Sequence, residues 1–167
     1  MLGDMNYLLS SLLVGVGATA AMDAWGFVRQ RALGLPGANY ALVGRWLAWM
    51  PRGRFRHESI AATPAVRHER LIGWVAHYAI GVAFAGVLLS TFGSAWIHAP
   101  TLIPALLVGV GTVAAPLLLM QPGMGAGLAA RRTPHPNAAR VQSLITHAVF
   151  GFGLYGAGWI AKWLGSM

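Results

Sequence analysis

Two histidines, one aspartate and two arginines stand where an otherwise apolar chain has little ordinary use for them. His77 and His147 each lie seven residues past an arginine, Arg70 and Arg140, and each is followed four residues later by a glycine, Gly81 and Gly151. At about 100° per residue, Arg70, Gly73, His77, Gly81 and Phe84 share one helical stripe. Arg140, Ser143, His147, Gly151, Leu154 and Gly158 share another. A rise of ~1.5 Å per residue sets each imidazole roughly 10 Å beyond its arginine. Small residues one turn to either side allow a second helix, or a flat ligand, to approach the backbone. Asp23 falls in line with Ser11, Gly15 and Thr19.

These residue types support three kinds of chemistry. The imidazoles can bond to neighbouring helices and lock a bundle. They can face each other and hold a metal ion or the two axial positions of a b-type haem, with Gly81 and Gly151 leaving room for the porphyrin edge. They can also act as protonatable groups or substrate contacts along a permeation path, since imidazole titrates near neutrality. Asp23 adds weight to the last. A carboxylate on a membrane helix is costly unless it meets a cation, a donor or water, and Arg70, Arg140, His77 and His147 are its candidate partners. The plainer alternative for Asp23 is an interfacial salt bridge to an arginine. The predicted site is therefore Asp23, His77, His147, Arg70, Arg140 and Gln121, with Gly15, Gly73, Gly81, Gly151 and Gly158 as close-packing positions. No cofactor is expected on the first and third readings; haem b or a metal on His77 and His147 belongs to the second.

Gln121 opens the run Gln121-Pro122-Gly123-Met124-Gly125-Ala126-Gly127. Proline and glycines at this density predict a break after Met120, with backbone amides and carbonyls exposed as a pocket wall or anion site beside Arg131 and Arg132. Met120 and Met124 are soft donors suited to copper, although apolar packing is the simpler reading. His57, His68, His98 and His135 match no zinc spacing and read as surface histidines. No nucleophile elbow, phosphate-binding Gly-Lys-Ser/Thr loop or His-Glu-x-x-His occurs. With no cysteine, thiolate chemistry and disulfides are excluded. Binding or transport is expected before enzyme catalysis.

The elements that must position these residues are membrane helices. Of the 167 residues 56% are hydrophobic and only 10% charged, with mean hydropathy +0.58, whereas soluble domains carry about 25% charge. Four apolar stretches, Tyr7–Trp25, Leu71–Phe92, Leu102–Met120 and Val141–Trp163, approach the ~20 residues that cross a bilayer. All eleven arginines lie in the connections between spans one and two and between spans three and four; the opposite side holds Lys162. That asymmetry predicts cytoplasmic connections and periplasmic termini. It also makes anionic lipid headgroups, not nucleic acid, the expected partner of the +8 net charge. Ala18-Thr19-Ala20 imitates a signal-peptide cleavage site, but no Lys or Arg precedes it, so the first span is expected to be retained.

The chain also repeats itself. A shift of 70 places Thr63-Pro64 on Thr133-Pro134, Arg70 on Arg140, His77 on His147, Gly81 on Gly151 and Gly86 on Gly156. Upstream, Val14-Gly15-Val16-Gly17 and Ala20-Ala21 match Val108-Gly109-Val110-Gly111 and Ala114-Ala115. The expected fold is an all-α membrane protein: one domain over residues 1–167, with four spans as two parallel-repeat hairpins in a pseudo-twofold bundle. Repeat one covers about 7–92, with a cytoplasmic insertion near 30–60, and repeat two about 102–163. Asp23 is the point where the repeats diverge, its counterpart being Leu117. Within the insertion, Asn39–Met50 reads as a short helix carrying Tyr40, Arg45, Trp46 and Trp49. Its place is either the headgroup layer or the cytoplasmic end of the bundle.

The Met120–Gly125 run, the Arg132-Thr133-Pro134 turn, the His147-x-x-x-Gly151 helix and Ala20-Ala21-Met22-Asp23 together resemble the bacterial membrane proteins grouped as domain of unknown function 2938. The resemblance covers nearly the whole chain and implies a bacterial inner-membrane location. It supplies no activity, substrate or site residue. The leading expectation is a small-molecule, ion or lipid binding or transport protein, gated from the cytoplasm by Arg70, Arg140 and the Gln121–Gly125 break. In so short a chain, a transport path calls for a homodimer. The alternatives are the bis-histidine redox protein and a membrane scaffold or partner subunit.

Overall fold

The computed structural model describes residues 7–165, and the regular structure among them is all helical. The long elements are α1 (Tyr7–Leu33), α2 (Tyr40–Trp49), α3 (Glu69–Phe92), α4 (Leu102–Met124) and α5 (Pro136–Gly165). Four of these, α1, α3, α4 and α5, are long and apolar enough to cross a membrane, as in a multi-pass membrane protein. Their outward residues suit lipid: Ile103 is 71% exposed, Leu107 61% and Ile160 62%.

Local chemistry sets the helix ends. α1 runs eight residues past the apolar stretch, because Arg29 and Arg31 are good helix formers. It stops at Gly34, which takes the left-handed conformation (φ 66°) while its N–H donates to Gln30 O. Asn39 caps α2, its side-chain oxygen accepting from Ala41 N–H. Pro136 starts α5 at a position where the missing N–H costs nothing.

α4 departs from expectation. The helix does not break after Met120 but continues to Met124 and ends at Gly125 (φ 98°). The irregularity lies earlier, in a π-helical turn over Ala115–Met120. Pro116 lacks an N–H and its ring crowds the carbonyl one turn back, so the helix widens there. Pro122 sits in the first turn of the segment that follows, where proline is tolerated.

The chain divides into two compact units, one holding residues up to 36, 78–112 and 146 onward, the other holding 37–77 and 113–145. In the first unit all four membrane-length helices contribute to one apolar core, which includes Val14, Ala18, Leu88, Ala105, Phe150 and Leu154. Its helices touch at glycine. A Cβ on Gly15 would strike the backbone of Gly81 and Val82, and a Cβ on Gly109 would strike that of Gly151. Gly158 faces the Trp96 ring, where an added Cβ would lie 2.6 Å from the indole.

The second unit is organised by Arg45. Its guanidinium forms a two-pronged ion pair with Glu69, Nε to Oε2 at 2.8 Å and an Nη to Oε1 at 2.7 Å. The other Nη donates to the carbonyls of Ile60, Ala61 and Thr63 at 3.3, 3.2 and 2.9 Å. Glu69 also accepts Val66 N–H at 2.9 Å. The hydrogen-bonded carboxylate raises the Arg45 pKa above its ordinary value. Gly44 of α2 presses on Glu69 O and Gly73 N at the start of α3, so α2 is packed against that helix. Trp46 and Trp49 give their indole N–H groups to Phe55 O and Pro64 O, at 2.9 and 3.3 Å.

Candidate functional site

In the first unit, polar side chains follow one seam between α1 and α3. Tyr7 Oη donates to Gly86 O at 2.6 Å, and it lies 2.7 Å from Ser90 Oγ. About one turn along α1 Ser11 bonds back to Tyr7 O, and about three turns along Thr19 bonds to Gly15 O, satisfying both hydroxyls within the helix. Thr19 faces Gly81. The next turn brings Asp23, whose Oδ2 accepts the Tyr78 hydroxyl at 2.9 Å. His147 lies in the same unit, partly buried on α5, with its carbonyl 3.0 Å from where a Cβ on Gly109 would sit.

The other predicted residues belong to the second unit. His77 Nε2 lies 2.9 Å from Tyr40 Oη. Its ring is stacked on Tyr40 (centroids 4.3 Å, 29°) and edge-on to Trp74 (5.9 Å, 71°). Arg70 is exposed at the start of α3. Arg140 donates Nε to Ala129 O at 2.8 Å and an Nη to Asn137 Oδ1 at 2.9 Å, so it braces its own connection. Gln121 Oε1 is buried with no hydrogen-bond partner among the described residues. The bonds on Asp23 and His77 come from Tyr78, which the helical stripe did not include, and from Tyr40, expected among the headgroup or loop-helix aromatics.

Sequence reading missed His57 more completely. It is not a surface histidine: only 6% of it is exposed. Its N–H donates to Gly123 O at 2.9 Å and Ile60 N–H to Met124 O at 3.0 Å, which ties the segment to the end of α4. Gly125 admits this approach, since a Cβ there would strike Glu58 O. Thr63 Oγ1 donates to Ser59 O and so accepts from His57 Nδ1–H at 3.0 Å. Nothing in the spacing of His57 signalled this, because a buried histidine is defined by what folds over it. His68, His98 and His135 are exposed, as expected.

No group of three or more His, Cys, Asp or Glu able to hold a metal occurs among the described residues. Ligation through His77 Nε2 would have to displace the Tyr40 hydroxyl, so this geometry suits a hydrogen-bonded imidazole better than an axial ligand. What the two tyrosines offer is different. A hydroxyl both donates and accepts, so Tyr78 can bond Asp23 as carboxylate or as acid, and Tyr40 can bond either form of His77.

Fold and site define a small polytopic helical protein with ionisable groups held on membrane-length helices. The chain belongs to the family described as protein of unknown function DUF2938, matched over residues 12–161. No curated protein and no solved structure matches it.

Proposed function

We propose that this is a bacterial inner-membrane protein that binds or moves a small solute, ion or lipid, with Asp23, His77 and His147 as its protonatable groups. The observation that carries this reading is the Tyr78 to Asp23 bond inside membrane-length helices. An intramembrane acid is costly and commonly functional, and a phenol partner lets it change protonation without losing its bond. The Tyr40 to His77 contact has the same property. Arg70, Arg140 and Gln121 stand on the arginine-rich side, which the charge asymmetry makes cytoplasmic, leaving both termini periplasmic.

Two parallel hairpins are the proposed architecture. Gly15 and Gly109 are matched positions of the two repeats, as are Gly81 and Gly151, and each copy closes on its own glycine pair. Each histidine precedes its crossing glycine by four residues. One chain encloses little volume, so a transport path is proposed to form between two copies.

Proteoliposomes carrying an entrapped pH indicator test the proposal. Wild-type protein should dissipate an imposed pH step faster than empty vesicles, and Asp23→Asn should lose that advantage. Equal rates for wild type and Asp23→Asn would remove the acid from any proton-linked role. If the variant only melts earlier, the scaffold alternative takes its place.

A further inference from the structure

Trp49 carries two guanidinium groups over its indole, with Cζ of Arg52 4.8 Å and Cζ of Arg54 5.0 Å from the ring centroid. Backbone geometry builds this arrangement. The Met50–Arg52 turn ends at Gly53 in the left-handed conformation (φ 74°, ψ 8°), with Gly53 N–H donating to Met50 O and Arg54 N–H to Trp49 O. The chain therefore doubles back, and the arginines on either side of Gly53 reach the same ring. Hydrogen bonds from Trp49 to Pro64 O and from Trp46 to Phe55 O pin the platform and the residue that follows Arg54.

Two like charges at one ring repel, and among the described residues neither Arg52 nor Arg54 has a carboxylate partner. The surroundings do not neutralise them. Nine of the eleven arginines fall in this unit against two acids, Glu58 and Glu69, and Glu69 is already paired with Arg45. Between Arg54 and Arg56, the Phe55 side chain is 60% exposed. An apolar ring among cations gains nothing from a free anion in water, but it suits the boundary between headgroups and acyl chains. The location fits as well. Gly44 packs α2 on the first turn of α3, so the Trp49 turn leaves α2 beside the end of a membrane-length helix.

We infer that Arg52 and Arg54, held on Trp49 and flanked by Phe55, form a docking site for the phosphate of an anionic phospholipid in the membrane that the helices cross. The guanidiniums bond phosphate oxygens, and Phe55 meets the glycerol and acyl end.

The test is calorimetric titration of the full chain in neutral detergent with short-chain phosphatidylglycerol, short-chain phosphatidylcholine and inorganic phosphate. Phosphatidylglycerol should bind and phosphatidylcholine should not. Replacing both arginines (R52A/R54A) should weaken binding about thirtyfold, and Trp49→Leu, which keeps the charges but removes the platform, about fivefold. Arg131 and Arg132 are also exposed in this unit, and R131A/R132A should bind as wild type does. Unchanged binding by R52A/R54A would overturn the site. So would equal losses in both double variants, which would mean a diffuse basic field. Inorganic phosphate displacing the lipid at equal concentration would mean an anion site without lipid preference and would overturn it too. Arg52, Arg54, Arg131 and Arg132 are exposed, so both double variants should melt as wild type does. Trp49→Leu also gives up the indole bond to Pro64 O and should melt slightly earlier.

Discussion

The Tyr78 hydroxyl donates to Asp23 Oδ2 across 2.9 Å, so the acid of α1 is held by a phenol of α3. The pair separates stability from protonation in a way that two substitutions resolve. Tyr78→Phe leaves the carboxylate short of one donor, at a cost of about 1–3 kcal/mol. Asp23→Asn keeps an oxygen that accepts from Tyr78, so its cost should be below ~1 kcal/mol. Thermal melting should therefore rank Tyr78→Phe below Asp23→Asn, while proton-linked activity ranks them the other way. A larger stability loss in Asp23→Asn would mean that the charge itself holds α1 to α3.

Glycine crossings predict a sharp contrast between positions that look alike in sequence. Gly15→Ala and Gly109→Ala place a Cβ against backbone, which cannot yield as a side-chain tip can. Each should lose about 1–3 kcal/mol through overpacking. Gly156→Ala is the control, since nothing lies within 4 Å of its added Cβ. There the better helix propensity of alanine should stabilise α5 by ~0.5–1 kcal/mol. Similar gains at all three positions would show that propensity, not contact, controls them.

Spans and partners differ in how far the sequence reveals them. The four spans were legible because lipid demands ~20 apolar residues in a row. Helical periodicity put Asp23 in line with Gly15 and Thr19, yet a stripe names a face and not its partner. Tyr78 lies 55 residues from Asp23, and Glu69 lies 24 from Arg45. Which aromatic or acid arrives there depends on how the helices are set against each other. The same limit explains α4. Pro122 reads as the stop, but the π-helical turn over Ala115–Met120 precedes it and the helix continues through Pro122 to Met124.

Arg45 and Glu69 are only 12% and 17% exposed, and Arg45 also gathers three carbonyls from the segment that contains His57. Arg45→Lys keeps the charge, but a point-like ammonium cannot serve a carboxylate with two prongs and three carbonyls together. The expected loss is about 2 kcal/mol, toward the lower end for a buried pair because both groups retain some water. Hydrogen exchange should localise it. Amides of residues 57–66 should exchange faster in Arg45→Lys while the core of the first unit stays protected. Uniform acceleration over α1 and α5 would contradict a local role.

Ala129 and Ala130 both hold positive φ, at 47° and 61°, in the connection between α4 and α5. A side chain in that region costs about 1–2 kcal/mol per residue, and something must hold it there. Arg140 does so, donating Nε to Ala129 O at 2.8 Å. Ala129→Gly removes the steric penalty while adding ~0.5–1 kcal/mol of chain entropy to lose on folding. The net gain should be up to about 1 kcal/mol, seen as a higher melting midpoint. Arg140→Gln should lose ~1.5–3 kcal/mol, the range for a hydrogen bond that involves a charged group. In the double variant that loss should shrink, since glycine no longer needs to be held. Strict additivity of the two changes would mean that Arg140 acts through Asn137 alone, with no part in keeping Ala129 in place.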